Sequence, residues 1–155
     1  MKVIYYCYGS AHSSVVAAAI HLGLLPSDRV PAAREIEALP YFDKTSSEEI
    51  GTCFFVGRDE CDREVYVMGM GSNRQVVKRA ILSILSIFGI DAGELALIDA
   101  LPSAGLLVRV GGILSRRLGL IRAGRPLAIK GIQRNYRVFC DFVKKAKESL
   151  PSSQT

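Results

Sequence analysis

Hydrophobic and polar positions alternate along the chain in short blocks, and the spacing within each block indicates the element it forms. Residues 3–8 are β-branched and aromatic without a charged break, which predicts a strand buried on both faces that ends at Gly9. Residues 53–57 and 64–70 predict two more strands, and the polar stretch 58–63 predicts a hairpin turn between them. This pair is therefore expected to be antiparallel.

Spacings of three and four residues mark the helices between and after these strands. Residues 15–25 predict a helix that Ser13 or Ser14 caps. Residues 75–88 predict a long helix that follows a capping-box pattern. Its apolar positions predict one wide buried face, formed by Val76, Val77, Ala80, Ile81, Ile84, Leu85 and Phe88. A shorter helix is expected near 31–39.

The second half of the chain continues the alternation of strands and helices. Residues 95–101 and 126–130 predict strands, and residues 135–147 predict the last helix. The helix predicted over 105–120 contains a glycine pair at 111–112, and each glycine disfavours a helix by about 1 kcal/mol relative to alanine. Close approach of a neighbouring backbone would compensate for these glycines.

This order of elements predicts an α/β fold. Strands that alternate with helices favour a three-layer, Rossmann-like arrangement, in which a mostly parallel sheet of about five strands carries helices on both faces and one antiparallel hairpin. The length of 155 residues fits a single domain over residues 1–150. Residues 151–155 are expected to form a disordered tail.

Composition and charge narrow the class of protein. Hydrophobic residues make up 49% of the chain, which favours a folded protein over a disordered one. The cysteines form no CxxC pair, which predicts reduced thiols in the cytoplasm. The sequence shows no apolar leader and no apolar stretch of bilayer length, so we expect a soluble protein. Residues 1–71 hold 6 Lys and Arg against 10 Asp and Glu, whereas residues 72–155 hold 14 against 5. The basic half can attract nucleic acid or other phosphates, or be a solvated surface.

Candidate chemistry lies where strands lead into helices, because open α/β sheets bind ligands outside the carboxyl ends of their strands. The segment 9–14 joins glycine, serine hydroxyls and a histidine to free helix N–H groups, which suit a phosphate-sized anion. Its candidate ligand-binding residues, with one arginine near the last helix, are Gly9, Ser10, His12, Ser13, Ser14 and Arg134. His12 is the candidate catalytic residue, because its ring can exchange a proton near neutral pH. The alternative interpretation is a tight turn with a capping serine.

The stretch from Cys7 to Ser14 is similar to the phosphate loop of low-molecular-weight protein tyrosine phosphatases, which also follows the first strand and opens a helix. Cys7, Gly9 and Ser14 match its pattern C-x-G-x-x-C-R-S. His12 and Ser13 stand where that family has its nucleophilic cysteine and its phosphate-clamping arginine. The resemblance implies an anion-binding shape without cysteine-phosphatase chemistry. A histidine at this place can in principle accept a phosphoryl group.

Other cofactor signals are absent from the sequence. No GxxxxGKS/T pattern occurs, and no GxGxxG pattern follows the first strand, so no nucleotide cofactor is expected. The cysteines and the two histidines have no zinc-type spacing, so no metal is expected.

Over nearly its full length the chain resembles a bacterial family of unknown function, found mainly in Firmicutes and catalogued as domain-of-unknown-function family 3189. The resemblance rests on IYYCYG and AHSS near the start, on LPYFD at 39–43 and on GILSRRLG at 112–119. It implies a bacterial cytoplasmic protein with a single domain, and it implies no activity, substrate or cofactor. Ser10 stands where the resemblance leads us to expect glycine.

Three functions follow from these patterns as competing hypotheses. The leading one is a domain, with or without enzymatic activity, that binds a small anionic or phosphorylated ligand at 9–14. The alternative is a nucleic-acid-binding or regulatory module whose basic residues are Arg109, Arg116, Arg117, Arg122, Arg125 and Lys130. The third is a protein-interaction module that docks through the helix at 105–120, for instance as a homodimer.

Overall fold

The computed structural model describes residues 1–112 and 121–151, and its centre is one mixed β-sheet. The strands are β1 (Lys2–Cys7), β2 (Cys53–Arg58), β3 (Glu64–Gly69) and β4 (Leu95–Asp99). Their order across the sheet is β2-β3-β1-β4. β1 lies parallel to both β3 and β4, and β2 is antiparallel to β3. The prediction of a mostly parallel α/β sheet with one antiparallel hairpin is confirmed.

Helices cover both faces of this sheet. In chain order they are α1 (Ser13–His21), α2 (Ala33–Glu37), α3 (Arg74–Ile87), α4 (Leu106–Gly112), α5 (Ile121–Arg134) and α6 (Tyr136–Glu148). Short 3₁₀ turns lie at Ser47–Glu49 and Ala92–Glu94. Within the described residues, no helix combines the length and the apolar composition that crossing a membrane requires.

The predicted strand at 126–130 is wrong, so the sheet formed by the described residues has four strands. These residues lie inside α5, where Ala128, Ile129 and Ile132 are buried on one helical face. Pro126 inside this helix removes one backbone donor and disfavours the helix by about 3 kcal/mol. Burial of the apolar face outweighs this penalty, which the short apolar run alone could not show.

The glycines of α4 and α5 lie where the two helices cross closely. A Cβ added to Gly111 would lie 2.5 Å from the backbone nitrogen of Ala128. A Cβ added to Gly131 would lie 2.7 Å from the backbone nitrogen of Val108. The expected close approach of a neighbouring backbone is therefore confirmed for Gly111. Gly112 instead faces the ring of His12.

The two faces of the sheet are covered unequally. The main core packs α1, α5 and α6 on one face around Tyr5 and Phe139. The opposite face holds a small cluster formed by Ile4, Tyr6, Met68 and Met70, with Val77 and Ile81 of α3 packed against it. No residue of α3 is fully buried. The predicted wide buried face of this helix is wrong for four positions that are exposed, namely Val76, Ala80, Ile84 and Phe88.

Candidate anion-binding site at the first loop

Three parallel strands end at the same edge of the sheet, and their following loops lie side by side. The backbone N–H of Met70, after β3, donates to the carbonyl of Cys7 at 2.9 Å. The backbone N–H of Ala100, after β4, donates to the carbonyl of Tyr6 at 2.9 Å. The loop from β1 to α1, residues 8–12, is therefore held between two neighbouring strand ends, and we call it the first loop.

A cavity of about 540 Å³ opens beside the first loop. Its wall is formed by the end of β1 and the first loop, by the turn at 46–50, by the segment after β4 and by α4. The lining residues are Cys7, Tyr8, Gly9, Ala11, His12, Ser13, Ser46, Ser47, Ile50, Leu101, Ala104, Val108, Arg109 and Gly112. This volume lies within the range of small-molecule sites, roughly 300–1,000 Å³. The parallel edge of the sheet thus carries a cavity where the fold class predicts one.

The carbonyl groups of the first loop are engaged by neighbouring segments. The backbone N–H of Gly71 donates to the carbonyl of Tyr8 at 2.9 Å. The hydroxyl of Thr45 donates to the carbonyl of Gly9 at 2.9 Å, and the backbone N–H of Asp43 donates to the carbonyl of Ala11 at 2.9 Å. These hydrogen bonds hold the loop through its carbonyl groups and do not use its N–H groups.

The backbone N–H groups of residues 9–14 have no acceptor among the described residues. They belong to the first loop and to the first turn of α1, where the helix cannot supply partners. His12 occupies the N-cap position, and no side chain caps the helix. The predicted cap by Ser13 or Ser14 is therefore wrong, because the helix already begins at Ser13. Unpaired donors at a helix N-terminus with its positive dipole end favour an anion.

His12 lines the cavity and is nearly buried, with a side chain only 9% exposed. Its Nε2 has no hydrogen-bond partner among the described residues and lies 3.4 Å from Oδ1 of Asp43. The ring packs edge-on against Phe42 at a centroid distance of 5.3 Å. A Cβ on Gly112 would lie 3.3 Å from Nδ1, so glycine at that position gives the ring its room. Asp43, Phe42 and Gly112 therefore surround the ring at the cavity wall.

Asp43 fixes the surroundings of His12. Its side chain is fully buried, and its backbone has a left-handed φ of 53°. Nε of Arg125, from α5, donates to Oδ2 of Asp43 at 2.9 Å. This carboxylate therefore bridges the histidine and α5.

Arg109, on α4, supplies a positive charge to the wall of the cavity. Its Nε donates to the carbonyl of Ala104 at 3.2 Å, and its Nη2 donates to the carbonyl of Leu101 at 3.4 Å. These bonds hold the guanidinium group against the turn that follows β4. A guanidinium group at this wall attracts phosphate or carboxylate groups.

The residues predicted for ligand binding do not all reach the cavity. Gly9, His12 and Ser13 line it. Ser10 is buried with a left-handed φ of 48° and does not line the cavity. The hydroxyl of Ser14 pairs with Sγ of Cys7 at 3.2 Å. Arg134 is exposed at the end of α5, also outside the cavity wall.

The basic residues of the nucleic-acid hypothesis are dispersed. Arg109 faces the cavity, Arg125 pairs with Asp43, and Lys130 is exposed on α5. Arg122 also belongs to α5. Arg116 and Arg117 lie outside the described residues, as does much of the helix predicted over 105–120.

Sequence reasoning missed Asp43 and the turn at 46–50. Both lie more than 30 residues from the first loop in sequence and reach it only through the fold. The one available signal was Asp43 itself, a short polar residue after an apolar stretch, and such residues tolerate left-handed turns. Arg109 was considered only as a nucleic-acid contact.

Comparison with known proteins places the chain in one family. Within the described residues, no group of three His, Cys, Asp or Glu side chains comes together as a metal site. No curated protein and no solved structure matches the chain. A family model, described as protein of unknown function (DUF3189), matches residues 2–148. The chain, with its four-stranded α/β fold and the cavity at its first loop, therefore belongs to the DUF3189 family.

Proposed function

We propose that this protein binds a small ligand through a phosphate or similar anionic group placed against the first loop. One observation carries the proposal. The backbone N–H groups of Gly9, Ala11, His12 and Ser13, which have no acceptor among the described residues, lie at the wall of a 540 Å³ cavity that the His12 ring also lines. Buried polar groups are normally paired, so donors left open at a cavity are explained by a ligand that accepts from them.

The charges around the cavity favour a negative ligand. The dipole of α1 places partial positive charge at the first loop. Arg109 adds a full positive charge at the cavity wall. The nearby carboxylate of Asp43 is already engaged by Arg125, so it opposes an anion less than a free carboxylate would.

The remaining wall of the cavity suits an apolar part of the same ligand. Ile50, Leu101, Ala104 and Val108 contribute apolar side chains from three different segments. The volume far exceeds that of a free phosphate ion. We therefore infer an organic phosphate or carboxylate rather than an inorganic ion as the natural ligand.

His12 has the position from which it can act on such an anion. Its ring lines the cavity beside the open N–H groups, and the charge of Asp43 at 3.4 Å favours the proton on Nε2. Nδ1 is then the lone-pair nitrogen. His12 accordingly remains the residue at which we predict proton exchange, or phosphoryl acceptance, if the bound ligand reacts.

The proposal is tested by calorimetric titration with adenosine monophosphate, with adenosine as the matched ligand lacking the anion and inorganic phosphate as the minimal anion. The variants are Gly9→Ala and His12→Ala, and Lys130→Ala is the control because this lysine is exposed and away from the cavity. A Cβ on Gly9 meets no atom within 4 Å, so that variant keeps the fold while it alters the cavity wall.

We expect the phosphorylated ligand to bind more tightly than adenosine, and His12→Ala and Gly9→Ala each to weaken binding by about tenfold or more. Lys130→Ala should leave the affinity unchanged. Equal affinity for adenosine and its monophosphate would overturn the proposal. Binding of an oligonucleotide that falls steeply with salt, and that is lost with Lys130→Ala but retained with His12→Ala, would favour the nucleic-acid hypothesis instead.

A further inference from the structure

Helix α3 exposes an apolar surface that nothing in the described structure covers. Phe88 and Ile87 at its end are 75% and 79% exposed, and Val76 and Ile84 are about half exposed. Isolated exposed apolar residues are ordinary, but a continuous set along one helix marks an interaction site. We call the set Val76, Ala80, Ile84, Ile87 and Phe88 the α3 stripe.

The sheet beneath α3 is also left partly open. The opposite face is covered by several helices, whereas this face carries α3 alone among the described elements. On this face Phe55 is 47% exposed, and its ring packs edge-on against the half-buried Tyr66 at 5.4 Å. The apolar surface therefore extends from the α3 stripe on to β2 and β3.

We propose that the α3 stripe is the interface of a homodimer, in which α3 packs against α3 of a second copy around a two-fold axis at Ile84. Four residues of the stripe, Val76, Ala80, Ile84 and Phe88, follow each other at intervals of four. Ridges of this spacing interdigitate when two helices cross at about −50°. A second copy is the occupant because the stripe is complementary to itself.

Shape is the first sign of this self-complementarity. An axis at Ile84 places Ala80 of one copy opposite Phe88 of the other, four residues away on either side of the axis. The smallest side chain of the stripe thus faces the largest, so the ring of Phe88 fills the space above Ala80. Each pair occurs twice, as an isologous interface requires.

Charge is the second sign. The first half of α3 carries the exposed Arg79 beside Val76, whereas the exposed Asp91 lies just after the end of the helix. An axis at Ile84 turns the basic half of one helix towards the acidic end of the other. Opposite charges at the rim of an apolar contact set the orientation of the partners. A parallel arrangement of the two helices would instead bring like charges together.

A stable dimer must also bury enough surface area at its interface. About 800 Å² from each partner is typical, which exceeds what one helix crossing supplies. The open sheet surface at Phe55 and Tyr66 lies beside the crossing and can supply the remainder. The proposal therefore requires contact with the sheet as well as between the helices.

Sedimentation velocity over a wide range of concentration tests the proposal, with the wild type and four variants. Phe88→Ala removes the large side chain of the Ala80–Phe88 contact, and Ala80→Phe places two large side chains opposite each other. Each variant should therefore weaken the dimer by about tenfold or more. The double variant Ala80→Phe/Phe88→Ala exchanges the two partners and should restore association. Leu106→Ala is the control, because this residue is 77% exposed on α4.

Urea unfolding of each variant verifies that the fold is intact. We expect an intact fold because Ala80 and Phe88 are both exposed. A wild-type chain that sediments as a single copy at every concentration overturns the proposal. A double variant that associates no better than the single variants also overturns it. A dimer that Leu106→Ala dissociates and Phe88→Ala leaves intact places the interface on α4 and overturns the α3 assignment.

Discussion

Replacement of Asp59 by alanine should destabilise the protein more than any other single change at the β2–β3 turn. Oδ1 of Asp59 accepts from the backbone N–H groups of Cys61 and Arg63 at 2.9 Å each. Oδ2 lies 3.0 Å from Nε2 of the buried His21, and Nδ1 of that ring lies 2.9 Å from the hydroxyl of Tyr5. One carboxylate thus ties the hairpin turn to α1 and to the central strand.

The protons of this network can be placed from its surroundings. Burial lowers the pKa of His21 below 6.5, so the ring is neutral at pH 7. Burial opposes ionisation of Asp59, but the hydrogen bonds from His21 and the two amides together hold the pKa of its carboxyl below the usual value. The carboxylate can only accept, so Nε2 carries the ring proton. Nδ1 then accepts from Tyr5, whose hydroxyl keeps its proton because burial raises the pKa.

The expected loss of stability follows from the N–H donors that lose their acceptor when Asp59 is replaced by alanine. Asp59→Ala leaves three N–H groups without their acceptor, at about 1 to 1.5 kcal/mol each, or about 3 to 5 kcal/mol in all. The midpoint of thermal unfolding should fall by about 10 °C for a chain of this size. Asp59→Asn keeps the acceptor for both amides. Its amide can donate to Nε2 once the ring proton moves to Nδ1, so we expect a loss of about 1 to 2 kcal/mol.

Urea unfolding at pH 7.5 measures these losses, with Asp141→Ala as the control because this exposed aspartate of α6 should change the stability by less than about 0.5 kcal/mol. Equal losses for Asp59→Ala and Asp59→Asn would refute the hydrogen-bond reasoning, since the two variants share only the lost charge. A loss below about 1 kcal/mol for Asp59→Ala would refute it as well.

Three further effects are expected. His21 binds a proton more readily in the unfolded chain, because burial lowers its pKa in the folded protein. The free energy of unfolding should therefore decline as the pH falls below 6.5, by up to about 1.4 kcal/mol per pH unit. Urea unfolding of His21→Gln should show a free energy of unfolding that depends less on pH down to about pH 5. Gly111→Ala should cost about 2 to 3 kcal/mol, because its Cβ would lie 2.5 Å from the backbone of α5, and calorimetry that shows no loss would contradict the close crossing. Ser10→Gly should raise the free energy of unfolding by about 1 kcal/mol through relief of the left-handed φ, and an unchanged or lower value would show that the serine side chain outweighs this strain.

The elements with local signals were predictable from the sequence. The apolar run of β1, the hairpin from β2 to β3 and the glycine pair in α4 each carry their information within a few residues. The run at 126–130 misled because four apolar residues fit a strand as well as a buried helix. The exposure of the α3 stripe was not predictable, because periodicity shows that a helix is amphipathic and not whether its own chain covers the apolar face.

The candidate site shows the same division between local and non-local information. The first loop was found from glycine, histidine and serine after a strand. Asp43, Thr45 and Arg109 hold or complete the site from segments that the sequence does not connect to it. Their positions depend on strand order, and strand order depends on long-range pairing that no local pattern encodes.

Gly69 shows how the sheet, rather than the loop alone, determines the geometry at the cavity. It ends β3, and a Cβ at this position would lie 3.1 Å from the Cα of Gly9 and 3.2 Å from the backbone nitrogen of Ser10. Only a glycine at the neighbouring strand end lets the first loop pass so closely, and this passage coincides with the left-handed Ser10. A strained residue held by its surroundings is typical of functional sites. The open N–H groups therefore owe their positions to the parallel pairing of β1 with β3. A larger residue at Gly69, which does not itself line the cavity, should disturb the candidate anion site by displacing Gly9.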